Sequence, residues 1–259
     1  MIPGSRFKDR VAVVLGGGSG MGAAVSARFA VEGAHVYVCD VNSEAAQAVA
    51  RNIDGDGGRA TPVEVDATSR ESVASLMSRI DSDEGVLHVL HSQVGMPGAP
   101  GIDVSDEDFD RGIDVNVKSA FYPVAAAMPL LTRALGHGAI TMVASTAALV
   151  GSPFSPLYSL TKGAVVAYAR ALALAVAPDG IRVNVICPGP IDTPMLPQFF
   201  GRDPGANISD LMNDFVSSIP MRRPGTPDEI AGAAAFLASD DAGFITGVAL
   251  PVDGGLTAK

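Results

Sequence analysis

The chain has 259 residues, a net charge of −10, 47% hydrophobic residues, 18% charged residues and no tryptophan. This length fits one large α/β domain as well as two small ones, and the apolar content is enough for a large core. The acidic balance argues against a nucleic-acid or anionic-membrane surface, because both need clustered lysine and arginine. No segment resembles a signal peptide or a membrane span, so we expect a soluble cytoplasmic protein.

Apolar, β-rich segments alternate with helical patterns, the first of which begin near Met21 and Ser43. The apolar segments are nearly continuous, which is typical of parallel strands covered on both faces. The pattern predicts an α/β fold with a doubly wound, seven-stranded parallel sheet and right-handed crossovers, in one domain. The predicted strands are residues 11–15, 35–39, 61–65, 86–90, 139–144, 181–186 and 248–252.

Two helix starts carry capping signals. Ser105 with Asp108, and Thr226 with Glu229, both resemble capping boxes, and Pro227 suits a first helical position. These signals predict where helices begin and carry no information about chemistry.

Cysteine and histidine usage points away from metal binding. Cys39 and Cys187 lie in apolar segments, where buried small side chains are the better interpretation than a disulfide. His88 and His91 are the only close histidine pair, and both fall in a predicted strand. We therefore expect no metal site.

The first predicted strand leads into GGGSGMG, residues 16–22. A strand, a glycine loop and a helix start form a phosphate-binding arrangement, because glycines admit a pyrophosphate and the helix N-terminus supplies N–H groups. The spacing of Gly16, Gly20 and Gly22 differs from G-x-G-x-x-G, and a flexible turn is the alternative interpretation. The second strand ends at Asp40, a carboxylate suited to ribose hydroxyls and repulsive to a 2′-phosphate, while Ser19 adds no positive charge. Together these residues favour NAD over NADP.

Tyr158 and Lys162 are four residues apart in SPLYSLTKG, residues 155–163, so a helix places them on one face. A cation beside a phenol favours the phenolate and lowers the phenol pKa. The pair is therefore either a tuned acid/base or a plain contact on a helix surface.

With these features in place, the chain resembles the short-chain dehydrogenase/reductase family, in its single-domain branch, from about Lys8 to Gly255. Ser145 lies thirteen residues before Tyr158, as the serine of that family does. The other matching segments are the glycine loop, VDAT (65–68), DVNV (114–117), PGPIDTPM (188–195) and PVDGG (251–255).

The resemblance implies four catalytic residues. Tyr158 would be the general acid/base, and Lys162 would hold the nicotinamide ribose and lower the tyrosine pKa. Ser145 would hydrogen-bond the substrate oxygen. Asn116 would help to hold a water that relays protons to Lys162.

The resemblance also implies the cofactor site, with NAD as the cofactor. Asp66 would meet the adenine, and Ile191 and Thr193 would lie near the carboxamide. The implied cofactor-binding residues are Gly16, Ser19, Gly20, Met21, Gly22, Asp40, Asp66, Ala67, Gly95, Tyr158, Lys162, Pro188, Gly189, Ile191 and Thr193.

The chain departs from the family pattern at two places. The family usually has Thr before the first loop glycine, and this chain has Leu15. Where the family reads Asn-Asn-Ala-Gly after its fourth strand, this chain reads SQVG, residues 92–95. Gly95 is retained, whereas the side-chain hydrogen bonds of the two asparagines are not.

The region between Thr193 and Thr226 is expected to cover the active site as a substrate lid, at about residues 194–226. Its apolar content predicts an apolar secondary alcohol or ketone, with an alicyclic or hydroxysteroid-like ring, although these residues also suit simple packing of the lid. The predicted walls are Met96, Pro97, Ala147, Phe154 and Pro190, and the lid residues are Met195, Leu196, Phe199, Phe200, Leu211, Met212, Phe215 and Ile219, with mixed charges at Arg202, Asp203, Asp210, Asp214, Arg222 and Arg223.

Three functional classes stay open. The first is an NAD-dependent alcohol dehydrogenase. The second is a reductase of a carrier-bound 3-oxoacyl or polyketide group, which would need a basic entrance and usually NADP. The third is a non-catalytic dinucleotide-binding protein.

Two helical segments lack the polar stripe of a half-exposed helix. Residues 163–176 carry only Arg170 as a charge, and residues 117–135 carry only Lys118 and Arg133. Outer helix faces with so few charged residues predict a self-complementary two-fold contact between two copies of the chain. The resemblance extends this prediction to a homotetramer, and we expect Ala169 and Ala173 to face outward in the contact.

Overall fold

The structure, a computed structural model, describes residues 5–153, 155–199 and 207–258. Its seven strands are all parallel and form one sheet in the order β3-β2-β1-β4-β5-β6-β7. The predicted doubly wound fold is confirmed. The strands are Val11–Leu15 (β1), His35–Asp40 (β2), Arg59–Glu64 (β3), Val89–Ser92 (β4), Gly138–Val143 (β5), Ile181–Pro188 (β6) and Ala249–Val252 (β7).

Helices connect the strands and cover both faces of the sheet. Ser105 and Thr226 cap α4 and α9 as predicted, and Thr226 forms the full capping box with Glu229. The α-helices are Gly20–Val31 (α1), Ser43–Gly55 (α2), Arg70–Asp83 (α3), Asp106–Ile113 (α4), Ser119–Thr132 (α5), Ala147–Val150 (α6), Pro156–Val176 (α7), Ile208–Ser218 (α8) and Pro227–Ala238 (α9), with a π-helical turn at Asp114–Lys118 and 3₁₀ turns at Ala177–Asp179, Leu196–Phe199 and Asp240–Ala242.

The core lies on both sides of the sheet. Val11, Val13 and Leu15 of β1 pack against α3, α5 and α7, whereas Ala12 and Val14 pack against α1, α2 and α9. Alternate residues of a strand point to opposite faces, so a strand that is apolar at every position is needed to fill both layers.

The fourth strand begins later than the predicted segment 86–90. Leu87 donates its N–H to the carbonyl of Leu130 on α5 (3.3 Å) instead of joining the ladder. Pairing then continues to Ser92, which lies opposite Leu15 on one side and Met142 on the other. The strand therefore reaches two residues further toward its carboxyl end, where the site is formed.

The prediction that Ala169 and Ala173 face outward is wrong. They are 1% and 2% exposed and belong to the core between α7 and the sheet. In α7 the pattern is apolar on every side, so composition alone could not tell the buried row from the exposed one. The exposed residues of α7 are Pro156, Leu160, Ala167, Arg170, Ala171, Leu174 and Ala175.

Residues Pro156–Asp179 are long and apolar enough to cross a membrane by length and composition. The core helix of a soluble protein passes the same test, and α7 packs against β6 in this fold. Cys39 and Cys187 are buried and carry free thiols, as predicted for small apolar side chains.

Candidate active site

A cleft of about 530 Å³ opens at the carboxyl ends of the strands. It lies around the junction of β1 and β4, where the strand order changes direction, which is the usual ligand position in an open α/β sheet. The predicted residues that line it are Gly16, Ser19, Gly20, Met21, Asp40, Asp66, Ala67, Gly95, Tyr158, Lys162 and Thr193.

The glycine loop between β1 and α1 needs its glycines. Gly16 and Gly20 have φ angles of +75° and +50°, which favour glycine. A Cβ atom on Gly22 would lie 2.0 Å from the carbonyl oxygen of Gly16. The loop is therefore a tight turn that leads directly into α1. These close contacts favour the phosphate-binding interpretation over a flexible turn.

The first turn of α1 leaves donors without helical partners. The first helical hydrogen bond joins the N–H of Ala23 to the carbonyl of Ser19, so the N–H groups of Gly20, Met21 and Gly22 precede the helical ladder. Ser19 makes no side-chain cap and the turn carries no acidic residue. This donor set fits the diphosphate of a dinucleotide, because it combines backbone N–H groups with the positive end of the helix dipole.

Asp40 is fixed against the glycine loop. Its carboxylate accepts the N–H of Gly18 (2.9 Å) and the N–H of Asn42 (3.0 Å). A Cβ atom on Gly18 would lie 2.8 Å from the carboxylate, so the loop approaches the acid as closely as glycine allows. Asp40 therefore presents a negative charge at a set position in the cleft.

Asp66 follows β3 and is held by its own turn. Oδ1 accepts the backbone N–H of Thr68 (2.8 Å) and its hydroxyl (2.7 Å), and the Asp66 N–H donates to Ser72 (3.0 Å). The carboxylate is thereby oriented at the end of the cleft that Asp40 also lines.

Lys162 is a buried cation beneath the cleft. The residue is 3% exposed, and its Nζ donates a hydrogen bond to the carbonyl of Val143 (3.2 Å). Burial lowers the pKa of Lys162 to about 8. A Cβ atom on Gly95 would lie 2.9 Å from Nζ, so the glycine makes room for the ammonium group.

Tyr158 lies in the first turn of α7, which Ser155 caps by accepting the Tyr158 N–H (3.3 Å). The ammonium nitrogen of Lys162 is 5.9 Å from the centre of the tyrosine ring. Phe199 meets the same ring edge-on, with ring centres 5.4 Å apart. The tyrosine and the lysine therefore share one face of α7 and open into one cleft.

Asn116 lies in the π-helical turn and is 1% exposed. Its Oδ1 accepts the N–H of Met96 (2.8 Å), and its Nδ2 donates to the Met96 carbonyl and to Thr161 (both 3.1 Å). The carboxamide ties the segment after β4 to α7, one residue before Lys162. Its role in holding a relay water stays a prediction.

Ser145 follows β5 and is half-buried beside Ala144, which lines the cleft. Its hydroxyl accepts the N–H of Ala147 (3.2 Å). Ser145 and five other predicted residues lie next to the cleft lining and are not part of it. They are Asn116, Gly22 under the glycine loop, Pro188 and Gly189 at the end of β6, and the buried Ile191.

Comparisons with known proteins find relatives that match almost the whole chain. Residues 16–257 match a family model described as enoyl-(acyl carrier protein) reductase. The 4-formylbenzenesulfonate dehydrogenase TsaC1/TsaC2 of Comamonas testosteroni is 38% identical over 252 residues, which are 96% of this chain and 98% of that protein. The cis-4-hydroxycyclohexanecarboxylate dehydrogenase of Sinomonas cyclohexanicum is 38% identical over 257 residues, covering 98% of this chain and 99% of that protein.

Among solved structures, a 3-ketoacyl-(acyl-carrier-protein) reductase from Brucella melitensis, complexed with NADH, superposes with a TM-score of 0.87. It is 36% identical, and the match covers 97% of this chain and 99% of that one. The chain belongs to the short-chain dehydrogenase/reductase family. It is therefore an oxidoreductase of that type.

The departure of this short-chain dehydrogenase/reductase from its family at residues 92–95 has a local explanation. Pro123 lies inside α5 and has no N–H for the carbonyl of Ser119, four residues earlier. The hydroxyl of Ser92 donates to that carbonyl instead (3.3 Å). The serine thus satisfies a helix acceptor that the proline leaves open.

Several lining residues were missed in the sequence. Six of them are the last residue of a strand or the first residue after it, so the strand ends were the available signal. The missed residues are Leu15, Val41, Val65, Thr68, Gln93, Val94, Val115, Val143, Ala144, Pro194 and Gln198.

The predicted substrate walls are described in part. Met96, Pro97 and Ala147 are half-buried, and Pro190 is buried. Phe154, Phe200, Arg202 and Asp203 lie outside the described residues. In the lid region, Met195 lines the cleft, Leu196 and Ile219 are buried, and Met212 and Phe215 are half-buried.

Proposed function

We propose that this protein is an NAD-dependent dehydrogenase that interconverts a secondary alcohol and a ketone by hydride transfer. The observation that carries the proposal is the placement of Tyr158 and the buried Lys162 on one face of α7, in the same cleft as the start of α1. A phenol beside a buried cation, in a cleft whose backbone donors fit a dinucleotide diphosphate, suits proton transfer coupled to hydride transfer.

The choice of NAD rests on Asp40. Its carboxylate is held at a fixed position by two backbone N–H groups and lines the cleft. It is suited to accept ribose hydroxyls and repels a 2′-phosphate. The Brucella melitensis relative was solved with NADH, which agrees with this choice.

NAD, when bound, supplies the acceptor for the hydride that leaves the carbinol carbon. The alcohol must also lose the proton of its hydroxyl group, and Tyr158 takes that proton as the general base. Lys162 stabilises the phenolate by its charge, and Ser145 donates a hydrogen bond to the substrate oxygen. In the reverse direction Tyr158 returns the proton to the ketone oxygen.

The proposed substrate is apolar and cyclic. Phe199 lies edge-on to Tyr158, and Met195 lines the cleft together with Gln198, so apolar side chains form part of the lid side of the reacting position. The relative from Sinomonas cyclohexanicum is a dehydrogenase of a hydroxycyclohexane carboxylate, which agrees with a ring-shaped substrate. Residues 194–226 act as the lid in this proposal.

We also propose that the protein works as a cytoplasmic homotetramer. The exposed face of α7 carries Leu160 (53% exposed) and Leu174 (81% exposed), and Phe121 of α5 (42% exposed) packs against Tyr168 beside it. In the described part of the chain, only Arg170 brings charge to this face of α7. A two-fold contact between copies would remove this apolar surface from water.

A second candidate is a reductase of a carrier-bound 3-oxoacyl group. The description of the matching family model and the Brucella melitensis structure favour it. An acidic carrier protein would need basic side chains at the entrance. In the described part of the lid, Arg223 is paired with Glu229, and Arg222 donates to the carbonyl of Ser217. The acidic balance of the chain also makes this candidate the weaker one.

The test is a panel of secondary alcohols, ketones and 3-oxoacyl thioesters with NAD(H) and NADP(H), following the absorbance of the reduced nicotinamide. We expect turnover of cyclic alcohols with NAD and none after Tyr158→Phe, which should still bind NADH. A phenylalanine variant that keeps more than about a tenth of the activity contradicts the general-base role, since such roles are worth ~10²–10⁴-fold. Turnover of thioesters alone favours the second candidate, and NADH binding without any turnover favours a non-catalytic protein.

A further inference from the structure

A buried polar chain on β4 and β5 ends in the cofactor cleft. His91 is 0% exposed and lies directly opposite Thr141 in the parallel register. Its Nδ1 is 2.8 Å from the hydroxyl of Thr141, and its Nε2 is 3.1 Å from Oε1 of Gln93. Gln93 is half-buried and lines the cleft.

The buried hydroxyl decides how the protons are arranged. Thr141 is 0% exposed, and among the described residues its hydroxyl has one hydrogen-bond partner, His91. A buried hydroxyl hydrogen needs an acceptor, so Thr141 donates to Nδ1. A neutral imidazole carries one proton, which must then be on Nε2. Burial lowers the pKa of His91 to about 4, so the ring is neutral at physiological pH.

This arrangement fixes the glutamine amide. Nε2–H of His91 donates to Oε1 of Gln93, so the carbonyl side of the amide points back into the sheet. The amide NH₂ is then on the other side of the group, and within the described residues it has no partner. Because Gln93 lines the cleft and its carbonyl side is taken by His91, we infer that the two N–H donors of the amide are directed to the space that a dinucleotide would occupy.

The position of Gln93 indicates which part of the cofactor it meets. Phe29 of α1 meets the His91 ring edge-on at 6.2 Å, so His91 points to the α1 face of the sheet. Gln93 is two residues later and lies on that same face. The N-terminus of α1, where the unpartnered backbone donors lie, is on this face, whereas Lys162 belongs to α7 on the opposite face.

We propose that Gln93 is a cofactor-positioning residue, whose NH₂ group is aimed by His91 and Thr141 at the acceptor oxygens of the bound dinucleotide near its diphosphate. This inference rests on the proposed cofactor site and assigns a role to the segment in which the chain departs from its family. The orientation is set before the cofactor binds, because the buried histidine removes the alternative orientation of the amide.

The central variant is Gln93→Glu, which keeps the shape and the acceptor for His91 but replaces the NH₂ donor by a second oxygen. We expect the dissociation constant for NADH, measured by fluorescence titration, to rise by about 10- to 100-fold, because a hydrogen bond to a charged group is lost. Gln47→Glu is the control: Gln47 is exposed on α2, and the variant makes the same change of charge without affecting NADH binding.

The second measurement needs no cofactor. The chain has four histidines, so ¹⁵N labelling of histidine and single substitutions can assign the His91 signals in the unmodified protein. We expect the Nε2–H tautomer at neutral pH; the Nδ1–H tautomer would overturn the proposed orientation of Gln93. If the unmodified protein binds NADH and Gln93→Glu binds it equally well, this inference fails alone. If the unmodified protein does not bind NADH, the proposed function and this inference fail together.

Discussion

A Cβ atom on Gly95 would lie 2.9 Å from Nζ of Lys162, so the ammonium group occupies the space that a side chain at residue 95 would need. Lys162 also donates a hydrogen bond to the Val143 carbonyl. Gly95→Ala should therefore displace the ammonium and reduce kcat/KM by roughly 10²-fold, the scale of a misplacement of about 1 Å.

The control for this variant is Gly163→Ala. Gly163 follows Lys162 in α7, and a Cβ atom there meets nothing within 4 Å. Alanine is the better helix former, so this variant should keep its activity and be slightly more stable. Steady-state kinetics and thermal unfolding of both variants check the prediction. Equal activity of the two variants would show that the space at residue 95 does not matter.

Lys162 should make the cofactor-free protein less stable at neutral pH. Its pKa falls from 10.5 to about 8 on folding, so the unfolded chain binds more protons between these values. The free energy of unfolding should therefore rise with pH between about 8 and 10.5. Below pH 8 the full free-energy cost of burying the charged ammonium applies. Lys162→Met removes a penalty of roughly 3 kcal/mol at pH 7 and loses a hydrogen bond worth about 1 kcal/mol.

We therefore expect Lys162→Met to gain about 2 kcal/mol of unfolding free energy at pH 7 while losing its activity. The difference from the unmodified protein should shrink as the pH approaches 10. Urea unfolding of both cofactor-free proteins at pH 7 and pH 10 measures this. A less stable methionine variant at pH 7 would mean that the buried ammonium is well compensated.

The preference for NADH over NADPH should depend on the charge of Asp40. Asp40→Asn keeps the size of the side chain and an oxygen that can accept the N–H of Gly18 or Asn42. Without the negative charge, NADPH should gain roughly tenfold in relative affinity. Asp40→Ala should narrow the preference too, but with weaker binding of both cofactors, because both loop N–H groups lose their acceptor.

Fluorescence titration with NADH and NADPH measures these preferences. Equal or tighter binding of NADPH by the unmodified protein is the result that would sink the assignment of Asp40.

The assembly should respond to charge on the exposed face of α7. Ala171→Arg places a cation beside Arg170 on that face and should split the proposed homotetramer without unfolding the chain. Ala48→Arg, on the exposed side of α2, is the charge-matched control. Light scattering at micromolar concentration reports the mass, and an unmodified protein at 26.4 kDa, the mass of one chain, would refute the prediction.

The fold could be predicted from the sequence because the local sequence signals and the pattern of buried apolar residues indicate the same elements. Continuous apolar strands, the glycine loop and the Thr226 cap each have one good structural solution. The outer face of α7 could not be predicted, since Ala169 and Ala171 are chemically identical and only packing against β6 separates them. The start of β4 was missed for a similar reason, as the hydrogen bond from Leu87 to α5 is a tertiary contact.

The candidate site was predictable where spacing carries chemistry, as for Tyr158 and Lys162, which the fold brings into one cleft. The additional structural contacts of the site residues were not predictable. Nothing in the sequence shows that Asp40 holds the Gly18 N–H, or that Gln93 is paired with a buried histidine. The Asp40 carboxylate meets a loop 22 residues away in the chain, and the contact between His91 and Gln93 depends on how the chain leaves β4. Single-sequence patterns report neither.

The π-helical turn at Asp114–Lys118 makes the length of this stretch as important as its composition. A deletion of one residue within it would rotate the following helix by about 100° relative to α4. Either Asn116 would leave its bonds to Met96, or Phe121 would turn from the exposed face toward another environment. The number of residues in this stretch is therefore constrained: substitutions on its surface are tolerable, whereas insertions and deletions change the cleft end and the outer face together.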